Sequence, residues 1–166
     1  MVLAIAFCGI GKLPPVSDFD SRLSALIDSA ILTCERADEA SWNGYGWTPA
    51  IILGHLADVD QEVWLARFVI MIDAMHKTQS VPHLEWWEPD AKQTEEKYSA
   101  FSLAQAQKNL LASREEVVSF LRALPLADRS ALAHHSTFGE ITIESMLQVI
   151  LEHDEEHRTS LGSMNV

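Results

Sequence analysis

The most restrictive feature of this chain is its last long amphipathic stretch, TIESMLQVILEHDEEHRTSL, from Thr142 to Leu161. Ile143, Met146, Leu147, Ile150 and Leu161 share one face of a helix, the pattern of an element that buries a single stripe. His153 and His157 continue that face. Being four residues apart, both imidazoles project to one side, about one turn from each other. Two histidines on a core-facing stripe form half of a metal site, as in other His-x-x-x-His helices. The same pair also suits ordinary surface or core histidines, so a third ligand has to decide.

Thr48-Pro49 starts an earlier helix, with Thr as N-cap and Pro at the first helical position. This helix 2 runs to about His76. Its stripe is Ile51, Ile52, His55, Val59, Glu62, Val63, Ala66 and Ile70. His55 therefore also sits on an apolar face and supplies the third ligand. Glu62 is a carboxylate amid aliphatics and needs a partner or a function. It lies about 10.5 Å along the axis from His55, too far to share an ion easily. Asp58 is one turn from His55, toward the edge of the stripe. Each acid is equally compatible with a solvated or salt-bridged side chain.

The rest of the chain reads as two more helices and their links. Ser17 caps helix 1, whose stripe is Leu23, Leu26, Ile27, Ala30, Ile31 and Cys34. The loop Ser41–Trp47 is rich in aromatics and turn residues. Lys77–Ser99 holds Pro82, Pro89 and Trp86-Trp87 without a sustained period, and reads as a long connection with at most one helical turn. Ser102 with Gln105 opens helix 3, which carries Leu103, Ala106, Leu110, Val117, Leu121 and Leu124 inward and stops at Pro125. Leu126–Glu140, with His134-His135, reads as a loop.

At 166 residues the chain has the size of one domain, with a bundle core at about 17–161 and an N-terminal tail at 1–16. A net charge of -12 argues against nucleic acid or an anionic membrane surface as partner. Two cysteines are too few for a disulfide framework, and no apolar run reaches the ~18 residues of a membrane span. A cytoplasmic protein is the expectation. Trp86-Trp87 and the apolar tail exceed what one small bundle needs to bury, which predicts a homodimer.

The ligands also constrain topology. His55 is near the start of helix 2, and His153 and His157 are near the end of helix 4. To share an ion, those ends must meet, so helices 2 and 4 run antiparallel. The link between helices 2 and 3 can span the bundle at ~3.3 Å per residue. The expected fold is thus an all-α four-helix bundle, up-down-down-up, with a long crossover between helices 2 and 3.

Trp47-Thr48 followed by His55-Leu56-Ala57-Asp58, with His153-Asp154-x-x-His157 after Phe138-Gly139-Glu140-Ile141-Thr142, resembles the DinB-like metal-binding bundle family over about residues 17–161. The resemblance implies a four-helix bundle, often dimeric, with a divalent metal, commonly nickel or zinc, held by His55, His153 and His157. Members include thiol-dependent transferases and isomerases and metal-dependent hydrolases, so the family leaves the reaction open.

Three neutral imidazoles leave open positions on an ion, as catalytic sites do. A hydrolase would use the ion to lower the pKa of water, with Asp58, Glu62 or Asp154 moving the proton. A transferase would use it to hold a low-molecular-weight thiol as thiolate. Either would act on a small-molecule substrate. The reading from another class is a non-catalytic metal- or ligand-binding stress-response module.

Overall fold

A computed structural model describes residues 19–164; Ser17 and the tail lie outside the described residues. The helices are α1 (Phe19–Glu39), α2 (Pro49–Val59), α3 (Ala66–Asp73), α4 (Ala91–Tyr98), α5 (Leu103–Arg122) and α6 (Ile143–Ser163). A π-helical segment, Asp60–Leu65, joins α2 to α3, and a second, Ala74–Thr78, follows α3. Helix 2 of the sequence is therefore one rod built from four pieces. With α1, α5 and α6 it makes a four-helix bundle. Short strands β1 (His83–Leu84), β2 (Leu132–His135) and β3 (Gly139–Thr142) form a small sheet beside it, in the order β1-β2-β3.

The caps read from the sequence are present. The Thr48 hydroxyl accepts from the Ile51 amide at 3.3 Å, with Pro49 just inside the helix. Ser102 accepts from the Gln105 amide at 3.2 Å. The fold adds a third cap, not read from the sequence, in which Thr142 and Ser145 cap α6 reciprocally. Each of these side chains satisfies an amide that has no acceptor within its own helix.

The π segment corrects the predicted stripe. An extension at 3.6 residues per turn puts Ala66 and Ile70 inward. In the fold Ile70 is 46% exposed, while Arg67, Phe68 and Met71 are buried. A π turn holds one residue more than an α turn, so every position beyond it is displaced by one around the axis. The inward set moves from 66 and 70 to 67 and 71.

The two links also differ from expectation. Lys77–Ser99 contains β1 and the eight-residue α4, capped by Asp90, whose carboxylate accepts from the Lys92 and Gln93 amides. Leu126–Glu140 contains a 3-10 turn and most of the β2–β3 hairpin. The parallel pairing of β1 with β2 joins them across about fifty residues of sequence. Two-residue pairing has too little periodicity to be visible in the sequence. It matters because the sheet anchors the segment that carries Trp87 and Glu88. The Trp86 amide donates to Ser136 Oγ at 2.9 Å, and Arg67 donates to the Glu85 carbonyl at 2.7 Å.

Helix pairing follows from the contacts. Between α1 and α6 the contacting positions rise together: Arg22 meets Glu144, Arg158 donates to Ser29 and Thr33, and Gly162 lies against Arg36. Between the α2–α3 rod and α6 they run oppositely, His55 facing His157 and Trp64 facing His153. No helix among the described residues is long and apolar enough to cross a membrane.

Candidate metal centre

Gly54 and Thr48 explain how His55 is placed. The Thr48 cap starts α2 so that the seventh helical residue is His55. Gly54 lets α4 lie close by: a Cβ there would collide with the Tyr98 ring. The Tyr98 hydroxyl donates to Asp58 Oδ1 at 2.6 Å, and Lys97 donates to the same oxygen at 2.7 Å. Thus α4 is clamped to α2 one turn beyond the histidine.

His55 meets His153 and His157 in the core. One nitrogen from each ring lies within 4.8 Å of the others. Ring centres are 5.6 Å apart for His55–His153, 5.0 Å for His55–His157 and 4.7 Å for His153–His157. Two imidazole nitrogens on one ion at 2.0–2.1 Å each span at most about 4 Å. A small ring rotation closes the remainder. The walls are aromatic. Trp47 lies 5.2 Å from His55, Trp87 stacks on His55 at 6.2 Å and 14°, and Trp64 meets His153 edge-on at 5.9 Å.

The chemistry of the donors suits a cation. Burial pushes His55 down to about 2, His153 to about 3 and His157 to about 4, with the neighbouring imidazoles adding to the fall for the first two. All three rings are therefore neutral at pH 7, the form that ligates. His55 Nδ1 and His153 Nδ1 are buried without a hydrogen-bond partner. Buried nitrogens of this kind are ordinarily satisfied, and a metal ion is one partner that would satisfy them.

The three predicted acids fall in different places. Glu62 and Asp58 line a cavity of about 280 Å³ together with His55, Trp87, Glu88 and Asp90. Asp154 is turned elsewhere. It accepts from Arg114 Nη1 at 2.7 Å and Nη2 at 3.0 Å, and is fully buried. Arg114 Nε also donates to both oxygens of Asp60 at 3.1 Å, and Ser113 donates to Asp60 at 2.9 Å. Two carboxylates hold Arg114 charged despite its burial, raising its pKa. Burial pushes Asp60 up to about 6 against the pull of Arg114. This cluster was missed in the sequence. The available signal was a second acid, Asp60, just after the His55 turn, and an arginine amid the apolar positions of α5.

A four-helix bundle with three converging histidines is compatible with a metal site. The model of the DinB superfamily matches residues 18–161, and the chain belongs to that superfamily. Among solved structures it is similar to YfiT from Bacillus subtilis, described as a probable metal-dependent hydrolase with an unusual four-helix bundle topology. The match has a TM-score of 0.67 and 18% identity, and covers 94% of this chain and 92% of that one. No curated protein matches.

Proposed function

We propose that this chain, acting as one domain, is a metal-dependent hydrolase of a small molecule, with His55, His153 and His157 holding one divalent transition ion, nickel or zinc. The observation that carries the reading is the convergence of three neutral imidazoles, one of which, His55, also lines the cavity that contains Glu62. The up-down-down-up order belongs to the proposal and is supported by the opposed pairing of His55 with His157 and Trp64 with His153.

Such an ion supplies Lewis acidity, polarising a carbonyl or lowering the pKa of water. The chain's own residues supply the rest. Glu62 takes the proton of the attacking water: the fold leaves it exposed rather than amid aliphatics, on the lining of the cavity that His55 also lines. Asp58 is held by Tyr98 and Lys97 and positions α4 against the cavity mouth. Asp154 does not transfer protons in this scheme, being occupied by Arg114. Trp47, Trp64 and Trp87 keep bulk water from the rings and lower the local dielectric, which strengthens charge–dipole interactions there.

The test is elemental analysis of protein purified without chelator or affinity-tag metal, followed by turnover of small esters and amides with and without added thiols. About one transition ion per chain is expected, with thiol-independent hydrolysis lost in Glu62→Gln. Absence of bound metal overturns the site. Turnover only with a low-molecular-weight thiol replaces the hydrolase by the transferase; bound metal without turnover leaves the binding module. Exposed Trp86, Val69 and Ile70 support a homodimer, and a clean monomer on sedimentation at micromolar concentration would refute it. A cytoplasmic location completes the proposal.

A further inference from the structure

Among the described residues two arginines are buried, and acids match only one of them. Arg114 lies between Asp60 and Asp154. Arg67, 9% exposed, has no carboxylate within ion-pair distance among the described residues. Its Nη2 donates to the Glu85 carbonyl at 2.7 Å, and the guanidinium lies over the Trp64 ring, 5.6 Å from its centre. The carboxylate of Glu85 itself is turned to solvent, where it meets His83 at 3.2 Å. Nε and Nη1 of Arg67 make no hydrogen bond with the described residues and are not fully covered. A guanidinium so far buried without a counter-ion is costly.

A second unmatched donor stands at the same strand end. Leu84, the last residue of β1, pairs with His135, and Arg67 bonds the carbonyl of the next residue, Glu85. His135 is 1% exposed, with Phe138 and Trp86 against its ring at 4.6 and 6.3 Å. Its Nδ1 accepts from the Thr137 and Phe138 amides at 3.0 and 3.4 Å, which leaves the hydrogen on Nε2. That Nε2–H is buried and has no acceptor among the described residues. Burial first, and then the charge of Arg67, push the ring's pKa down to about 4, so it stays neutral.

We propose that Arg67 and the Nε2–H of His135 bind the carboxylate of a small molecule, at a site apart from the three histidines. Both groups donate and neither accepts, so a cation gains nothing there. A water molecule would satisfy His135 but leave the charge of Arg67 uncompensated, whereas a carboxylate answers both and suits the planar guanidinium. Trp64 touches both Arg67 and His153. The carboxylate therefore has two sources, a free acid or a substrate that extends past Trp64 to the histidines.

The test uses the full chain as purified, at pH 7.5. Sodium chloride is replaced stepwise by sodium acetate at constant ionic strength, and the His135 Nε2–H is followed by proton–nitrogen NMR. A saturable shift of that signal is expected, with a rise in melting temperature over the same concentrations. Arg67→Gln, whose amide still donates to a carbonyl, should weaken acetate binding by more than about tenfold, and Arg67→Lys, which keeps the charge without the fork, should lose less. No saturable shift in the parent overturns the proposal, whether or not the variants fold. Equal acetate affinity in parent and Arg67→Gln overturns it too. Neither result touches the metal reading. Glutarate added to cobalt-loaded protein then assigns the source. Binding tighter than acetate with a changed cobalt absorption supports a substrate carboxylate, and acetate-like binding with an unchanged spectrum supports a free acid.

Discussion

Two buried polar clusters sit side by side in this bundle, and they are built in opposite ways. Around Arg114 every partner is in place: Asp60 and Ser113 on one side, Asp154 on the other, and the Leu26 carbonyl at 3.0 Å. Around His55, His153 and His157 the aromatic contacts are with each other and with tryptophans, and Nδ1 of His55 and of His153 has no hydrogen-bond partner among the described residues. The first cluster joins residues of α1, the π segment, α5 and α6, so its charges are matched by structure. The second presents neutral ring nitrogens that no group among the described residues matches. Polar groups inside the bundle thus divide into those matched within the fold and those left unmatched, and the hydrogen-bond partners distinguish them.

The largest test of that contrast is Arg114→Met. It leaves Asp60 and Asp154 buried without their cation and should destabilise the fold by about 3–5 kcal/mol. Denaturant titration of the metal-free protein measures it; a loss below ~1 kcal/mol would mean the cluster is not holding the helices.

The histidines should show the reverse, losing ligand rather than fold. In His153→Ala or His157→Ala, metal affinity should fall more than about 100-fold, the effect that outer-sphere changes rarely exceed. In His55→Ala the loss is smaller, because His153 and His157 remain on one rigid helix. All three variants should stay folded at room temperature in melts. Unaltered binding in every one would remove the ligand assignment.

Gly54→Ala probes how the site is framed. The new methyl meets the Tyr98 ring, so α4 must shift, at about 1–3 kcal/mol. Metal affinity should change little while the Asp58–Tyr98 clamp loosens. A melting temperature equal to the parent's would show that α4 is not seated against α2.

The last test is the pH dependence. His55, His153 and His157 have folded pKa values pushed down to between about 2 and 4. Unfolded, they titrate near 6.5. Between those limits the unfolded chain binds more protons, so metal-free stability is complete above pH ~6.5 and lost on acidification, by at most about 1.4 kcal/mol per pH unit per ring. Asp60, raised to about 6, contributes with the opposite sign in parent and variant alike. Replacing all three histidines by Ala should therefore flatten the acid limb between pH 6.5 and 4. An unchanged slope would place the rings in water. Bound metal should be released only at about pH 4 and below, where the folded rings themselves take up protons, since protonated imidazole cannot ligate.

Much of this was legible in the chain. Local signals are carried by residues close in sequence: Thr48-Pro49 and Ser102 as caps, the apolar stripes of α5 and α6, and the spacing of His153 and His157. Each depends on backbone donors within one turn or on a fixed 3.6-residue period, so sequence alone determined it. The convergence of His55 on the other two was inferred from the requirement that one ion be shared, and the fold brings those rings within reach.

Tertiary structure decided the rest. The π turn at Asp60–Leu65 is an extra residue absorbed without a Gly or Pro to announce it, and it alone sets which of Ala66 or Arg67 faces inward. The fates of Asp58, Asp60, Glu62 and Asp154 had the same cause. An aspartate or glutamate reads alike in any sequence, and only the group placed opposite it, Lys97, Arg114 or an open cavity, settles whether it is a clamp, a buried counter-ion or an exposed acid.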